Sequence, residues 1–278
     1  MLKRLLISAA LAAVLAAPAT AQAPAPAAAD WRTPDPQNVL VIETTKGRVV
    51  AELVPEAAPN HVARLRELAK TGFYDGRKFF RVIDQFMAQT GDPQDTGEGG
   101  SDKPDLAAEF TFRRGADSAF TAVAKPTGGE QGFVGPMPAM SQNPAMMVMT
   151  ADSKVSAWGL FCPGVLGMAR GNEENSANSQ FFLMRQAYPS LDKRYTAFGR
   201  VISGLPAVRS IKVGEPVTEP MDQMLKVRVL ADIPAKERPS VRVVDTKGAW
   251  FAAEVERARA AKGADFSVCD IEIPSEVK

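Results

Sequence analysis

Short apolar runs follow one another along the middle of the chain, and their spacing predicts a protein made mainly of β-strands. Residues 39–44 and 48–53 are two β-prone runs around Thr45-Lys46-Gly47, an arrangement that predicts a β-hairpin. Further short strands are predicted at residues 79–83, 86–90, 165–170, 180–184, 197–203 and 225–230. Many short strands in series favour a closed or nearly closed antiparallel barrel.

A helix is predicted between the hairpin and the next strands. The stretch begins with Pro59, a residue suited to the first helical position. Within it, Val62, Leu65 and Leu68 are spaced to share one face. Gly72 follows as a natural C-terminal stop.

The chain continues well beyond the strand series. Residues 206–212 predict a second short helix, residues 241–244 another strand, and residues 249–261 an amphipathic helix. We expect residues 233–278 to form a small α/β extension that packs on the barrel rather than a separate domain.

Residues 113–160 lose this periodicity and fill with Gly, Pro, Met and Ser, which predicts a long irregular insert. Its methionines have three interpretations: packing of the insert onto the barrel, which we favour, an adaptable peptide-contact surface, or a thioether copper site, which lacks supporting Cys or His residues. The methionines concerned are Met137, Met140, Met146, Met147 and Met149.

The N-terminus has the pattern of a secretory signal peptide at residues 1–21. Lys3 and Arg4 precede an apolar run, and Ala19-Thr20-Ala21 forms a cleavage signal. An uncleaved anchor is the alternative, but the run is short for a transmembrane helix. We therefore expect an exported, periplasmic protein without stable membrane insertion, in which the Ala/Pro-rich residues 22–37 form a flexible tether.

Composition narrows the functional classes. The chain has 278 residues, 45% of them hydrophobic, and a formal net charge of +1, which gives no bias toward nucleic acid. Its single histidine, His61, leaves a Ser-His-Asp or Cys-His hydrolase with one candidate base and a zinc site without enough ligands. We expect no metal and no cofactor.

The two cysteines, Cys162 and Cys269, leave two alternatives open. In an oxidising compartment they can form a disulfide that joins the middle of the chain to its C-terminus. Otherwise they are two buried free thiols.

Arg81 is the most informative charged residue. Strand alternation places it on the same face as Phe79 and Ile83. A charge among apolar residues is costly unless it is paired or functional, although an exposed edge position is the alternative.

Three ordered blocks of sequence around and beyond Arg81 resemble the cyclophilin family of peptidyl-prolyl cis/trans isomerases. Residues 79–92 read Phe-Phe-Arg-Val-Ile-Asp-Gln-Phe-Met-Ala-Gln-Thr-Gly-Asp. The second block is residues 164–170 followed by residues 178–182, and the third is residues 191–192 followed by residues 198–201. The resemblance covers roughly residues 38–232, interrupted by the insert.

This resemblance implies a closed antiparallel eight-stranded barrel capped by two α-helices, with an active groove on its outer face. Arg81 would be the catalytic residue. The residues that would bind substrate are Phe86, Met87, Phe182 and Leu191 around the proline ring, and Gln89, Ala169, Arg170, Gln180 and Tyr195 along the groove. The chain departs from many eukaryotic members at Phe80, Ser190 and Tyr195, where those members have His, Trp and His.

The expected activity is isomerisation of X-Pro bonds during the folding of exported proteins, with proline-containing polypeptides as partners. A cyclophilin-like chaperone or binding module with weak or no catalysis is the alternative. The presence of Arg81 together with the groove residues favours the interpretation as an enzyme. The insert and the extension favour an added binding role.

Overall fold

The computed structural model describes residues 24–278. The predicted signal peptide, residues 1–21, lies outside the described residues. The helices are α1 (Pro59–Lys70), α2 (Leu205–Ser210) and α3 (Ala249–Lys262). The strands, in chain order, are β1 (Trp31–Arg32), β2 (Val39–Thr44), β3 (Gly47–Leu53), β4 (Arg81–Ile83), β5 (Met87–Thr90), β6 (Phe112–Arg114), β7 (Phe120–Ala124), β8 (Gly129–Val134), β9 (Met137–Gln142), β10 (Val155–Gly159), β11 (Val165–Met168), β12 (Phe181–Met184), β13 (Ala197–Ser203), β14 (Met224–Val229), β15 (Val241–Val244) and β16 (Ser275–Val277).

Eight strands form one curled antiparallel sheet in the order β14-β2-β3-β13-β11-β12-β5-β4. The prediction of a closed barrel is wrong, because no ladder of the described residues joins the end strands β14 and β4. Isolated bridges, Lys78 with Gln223 and Val82 with Gly214, are found there instead. The chain beside β4 is a loop that contains Pro216, and proline has no N–H to donate to a ladder.

The main core lies between this sheet and α1. The helix begins at Pro59 and buries Val62, Leu65 and Leu68, so the predicted apolar face is the face that packs. These side chains belong to the same buried cluster as Phe198 of β13. Burial of large apolar side chains of this kind is the main favourable contribution to folding.

The insert is regular, so the prediction of an irregular segment at residues 113–160 is wrong. Its strands form a five-stranded antiparallel sheet in the order β6-β10-β9-β8-β7. Gly129 and Gly132 lie in β8, and Pro138 lies in β9. Glycine and proline are depleted in strands, so periodicity did not reveal these strands. A Cβ atom on Gly132 would lie 2.1 Å from the carbonyl oxygen of Thr121 in β7, so the close strand pairing requires glycine there.

The predicted flexible tether at residues 22–37 is also wrong from Trp31 onward. Strand β1 pairs with β15, and β15 pairs with β16 to complete a three-stranded sheet. Arg32 makes a two-pronged ion pair with Glu52 of β3, with N–O distances of 2.7 and 2.8 Å. The Arg242 guanidinium lies 4.4 Å from the centre of the Trp31 ring. The composition of the segment indicated a linker, but long-range contacts hold it.

Residues that follow the eight-stranded sheet pack against it and against the insert. Phe251 and Val255 of α3 share a buried cluster with Phe133 of the insert. Cys162 and Cys269 form a disulfide, with their Cα atoms 5.1 Å apart. Within residues 24–278, no helix has the length and apolar character needed to cross a bilayer.

Candidate active site

A groove of about 550 Å³ lies on the outside of the eight-stranded sheet. Every predicted site residue except Gln180 lines it: Arg81, Phe86, Met87, Gln89, Ala169, Arg170, Phe182, Leu191 and Tyr195. Gln180 lies in an adjoining depression and contacts the groove through Gln89. The sheet therefore brings together residues that are more than one hundred positions apart in sequence.

A row of polar side chains crosses the groove. Register pairs Arg81 of β4 with Gln89 of β5, and Gln89 with Phe182 of β12. Arg81 Nη1 donates a hydrogen bond to Gln89 Oε1 at 3.2 Å, and Gln89 Nε2 donates to Gln180 Oε1 at 2.9 Å. Strand β4, strand β5 and the residue just before β12 thus hold three of the predicted residues in one hydrogen-bonded chain.

The far end of this row is fixed by the loop that follows β5. Gln180 Nε2 donates to the carbonyl oxygens of Gly97 at 2.9 Å and Gly99 at 2.7 Å. Asp92 holds the loop, since its carboxylate accepts the backbone N–H groups of Gln94, Thr96 and Gly97. Burial raises the pKa of Asp92, but the backbone hydrogen bonds outweigh it and leave the pKa below its ordinary 3.8.

The other half of the groove is apolar. Met87, Phe182 and Leu191 are almost fully buried at 1%, 4% and 8% exposure, and form its floor. Phe161 stacks behind Phe182, with ring centres 5.8 Å apart. A Cβ atom on Gly167 would lie 2.3 Å from the Phe182 ring, so glycine is needed there for the ring to occupy its position.

Arg170 and Tyr195 lie at the rim and contact each other. The Arg170 guanidinium lies 4.7 Å from the centre of the Tyr195 ring and donates to the carbonyl oxygen of Arg194. The Tyr195 ring meets Phe182 edge to face at 6.0 Å. The Arg170 side chain is therefore held against this wall of the groove.

Asp192 follows Leu191 and lies behind the apolar floor. Phe161 N–H donates to Asp192 Oδ1 at 3.0 Å. Burial raises the pKa of Asp192 to about 6, and this hydrogen bond opposes the shift only in part.

Sequence reasoning missed part of the lining. Glu215 and Pro216 come from the loop after α2, and Thr96, Gly97 and Glu98 come from the loop after β5. Arg81 Nε donates to Glu215 Oε1 at 2.6 Å, although 134 positions separate the two residues. No short motif marks Glu215, so only the packing of the loop against β4 reveals it.

The arrangement combines hydrogen-bond donors with an adjacent apolar pocket. Such a groove suits a polypeptide that carries one ring-shaped apolar group. His61 lies on α1 with its Nδ1 atom 2.6 Å from Glu109 and does not line the groove. In the described range, no three His, Cys, Asp or Glu side chains are grouped as metal ligands would be.

Comparison with known proteins gives a consistent result. The family model described as cyclophilin type peptidyl-prolyl cis-trans isomerase/CLD matches residues 39–231. A probable peptidyl-prolyl cis-trans isomerase from Brucella suis biovar 1 (strain 1330) is 35% identical over 214 residues, which cover 71% of this chain and 85% of that protein. A putative peptidyl-prolyl cis-trans isomerase from Staphylococcus aureus (strain USA300) is 32% identical over 206 residues, which cover 71% of this chain and 91% of that protein.

A solved structure is similar over still more of the chain. The crystal structure of cyclophilin AquaCyp293 from Hirschia baltica has a TM-score of 0.82 and 37% identity. The alignment covers 89% of this chain and 93% of that one, so the similarity extends beyond residues 39–231.

Proposed function

Because this chain belongs to the cyclophilin-type peptidyl-prolyl cis-trans isomerase family and is an isomerase of that class, we propose that it accelerates X-Pro isomerisation in exported polypeptides through Arg81. The observation that carries the proposal is the position of the Arg81 guanidinium beside an apolar pocket.

The chemical task is rotation about an amide bond. The barrier is roughly 18–20 kcal/mol, because amide resonance must be lost. No covalent step is needed, so the enzyme has only to bind the twisted state more tightly than either planar state. A guanidinium N–H that donates to the prolyl nitrogen favours the twisted state, because the nitrogen lone pair becomes a hydrogen-bond acceptor only when conjugation is lost.

The apolar half of the groove would hold the ring during this rotation. Phe86, Met87, Phe182 and Leu191 offer the proline ring a site from which water is excluded. A hydrogen bond from Arg81 is stronger in such surroundings than in open water. Gln89 and Gln180 offer amide groups at the side where the substrate backbone would lie.

Export to the periplasm belongs to the same proposal. The N-terminal residues have the charged, apolar and small-residue pattern of a signal peptide. The disulfide between Cys162 and Cys269 adds support, since such bonds persist mainly in oxidising compartments.

A binding role without strong catalysis is the second candidate. Within the insert, the turn that connects β9 to β10 exposes apolar side chains: Val148 is 89% and Met149 84% exposed. Exposed apolar side chains, with an adaptable methionine among them, suit contact with unfolded polypeptides.

The test is a proline-isomerisation assay on a short X-Pro peptide. We expect Arg81→Ala to lower kcat/KM by about 100-fold, the usual effect of removing one group that stabilises a transition state. Arg113→Ala is the matched control, since Arg113 is a similarly exposed arginine paired with Asp152 in the insert. A wild-type protein that barely exceeds the uncatalysed rate would favour the binding role instead.

A further inference from the structure

The catalytic candidate Arg81 is paired with a carboxylate. Glu215 Oε1 accepts a hydrogen bond from Arg81 Nε at 2.6 Å, and both residues line the groove. Both side chains are exposed, Arg81 at 38% and Glu215 at 54%. Exposed ion pairs contribute little to stability, so the pair is not explained by a need to hold the fold together.

The loop that carries Glu215, residues 214–217, is fastened to β4 on both sides of Arg81. Val82 and Gly214 exchange two backbone hydrogen bonds, of 2.8 and 2.9 Å. Val217 N–H donates to the carbonyl oxygen of Phe80 at 2.8 Å. The backbone positions immediately before and after Arg81 therefore hold this loop in place.

The turn within the loop is too tight for a side chain at its first residue. A Cβ atom on Gly214 would lie 2.6 Å from the Cα atom of Val217 and 2.8 Å from the carbonyl oxygen of Pro216. The position of Glu215 is thus set by backbone contacts rather than by its own flexible side chain.

These contacts fix the orientation of the guanidinium. The group is planar and carries five N–H donors. Its Nε atom is held by Glu215 and its Nη1 atom by Gln89, at 2.6 and 3.2 Å. Two fixed points on a planar group define its direction, and the hydrogen bonds among residues 24–278 leave Nη2 without a protein acceptor.

We propose that Glu215 is a positioning residue for the isomerisation: by holding the Nε edge of Arg81, it directs the remaining N–H groups toward the prolyl nitrogen of the substrate. The inference rests on the proposed role of Arg81. Glu215 acts through Arg81 and need not touch the substrate.

The test compares Glu215→Ala and Glu215→Gln with wild type in the same peptide assay. We expect Glu215→Ala to lower kcat about tenfold with KM changed less than about twofold, because misorientation affects the twisted state while the apolar pocket still binds the ring. Glutamine keeps an oxygen acceptor for Nε–H, so Glu215→Gln should retain kcat within about threefold of wild type.

Glu219→Ala is the matched control. Glu219 lies in the same stretch of chain and makes a comparable exposed ion pair with Lys78, at 2.5 Å, but does not line the groove. Its kcat should equal that of wild type. An equal loss in Glu219→Ala would assign the effect to the loop as a whole and overturn the proposal.

A second readout reports on the pair itself. In an arginine ¹⁵N–¹H spectrum, the Arg81 Nε–H signal, assigned by its absence in Arg81→Lys, should be protected from exchange in wild type and lose protection in Glu215→Ala. Full kcat in Glu215→Ala, alongside loss of activity in Arg81→Ala, would overturn this inference and leave the proposed function intact. Activity that survives in Arg81→Ala would instead overturn the proposed mechanism.

Discussion

At the scale of single residues, Asp192 shows how the pocket floor is linked to pH. Its carboxyl lies behind Leu191 and has a pKa raised to about 6, because burial disfavours the charged form. In the unfolded chain the same group ionises near its ordinary 3.8. Ionisation of Asp192 therefore lowers the free energy of unfolding. This loss is absent below pH 3.8, grows as the pH rises from 3.8 to 6, and is complete above 6.

Asp192→Asn should remove this loss. The amide oxygen can still accept the Phe161 N–H, so we expect the free energy of unfolding at pH 8 to rise by on the order of 2 kcal/mol over wild type, and by less than half of that at pH 4.5. Urea unfolding at the two pH values measures the difference. Asp152→Asn is the contrasting control, since pairing with Arg113 lowers the pKa of Asp152 to about 2. A gain in stability for Asp192→Asn that does not depend on pH would contradict the prediction.

At the scale of elements, helix α1 depends on a residue from elsewhere in the chain. Its N-cap residue, Ala58, has no side chain that can cap. Glu109 supplies the acceptors: its carboxylate accepts the backbone N–H groups of Asn60 and His61, each at 3.1 Å, and contacts His61 Nδ1 at 2.6 Å. Burial raises the pKa of Glu109, but the hydrogen bonds outweigh it and leave the pKa below its ordinary 4.5.

Glu109→Ala should therefore destabilise the protein. It leaves helix N–H groups and a buried imidazole without an acceptor, and we expect a loss of about 2 kcal/mol in the free energy of unfolding at pH 7. Because the pKa is lowered, this contribution is present above pH 4.5 and should shrink as the pH falls below it. Denaturant unfolding checks both points. Glu56→Ala, an exposed carboxylate just before the helix, should change little, and an equal loss there would refute the capping role.

At the scale of the whole molecule, the three sheets are joined by a few long-range contacts. The buried Arg200 guanidinium donates to the carbonyl oxygens of Pro163 at 3.2 Å and Pro136 at 3.3 Å, and so links β13 to the insert. Burial lowers the pKa of Arg200 to about 10. The disulfide between Cys162 and Cys269 closes a loop with a sequence separation of 107 and ties the C-terminal residues to the same region.

The double variant Cys162→Ala/Cys269→Ala tests this link. Loss of a cross-link that closes so long a loop should lower the free energy of unfolding by about 3–5 kcal/mol. Neither cysteine lines the groove, so the variant should keep most of the isomerase activity. Reductant should shift the wild-type unfolding midpoint toward that of the variant and leave the variant unchanged. Mass mapping without reductant should recover a linked Cys162–Cys269 peptide; two free thiols in the folded protein would contradict the prediction.

Local sequence was sufficient for much of the eight-stranded sheet and for the groove. The predicted hairpin is β2 and β3, and the predicted helix at Pro59 is α1. Arg81 stood out because a charge shared a strand face with apolar residues. The residues that the family resemblance assigned to the groove lie along one surface, with Gln180 in the adjoining depression. Alternation and motif spacing are properties of short segments, so they can be read before the fold is known.

Tertiary structure alone decided the rest. Strands β8 and β9 of the insert contain glycine and proline, which are depleted in strands, and β1 follows an Ala/Pro-rich segment. These strands exist because other chain segments supply their hydrogen-bond partners. The eight-stranded sheet stays open between β14 and β4, and the loop of residues 214–217 lies beside β4 there. Glu215 reaches Arg81, and Glu109 reaches α1, across long stretches of sequence. Such contacts leave no periodic signal, because they depend on how the chain packs in three dimensions rather than on neighbours along it.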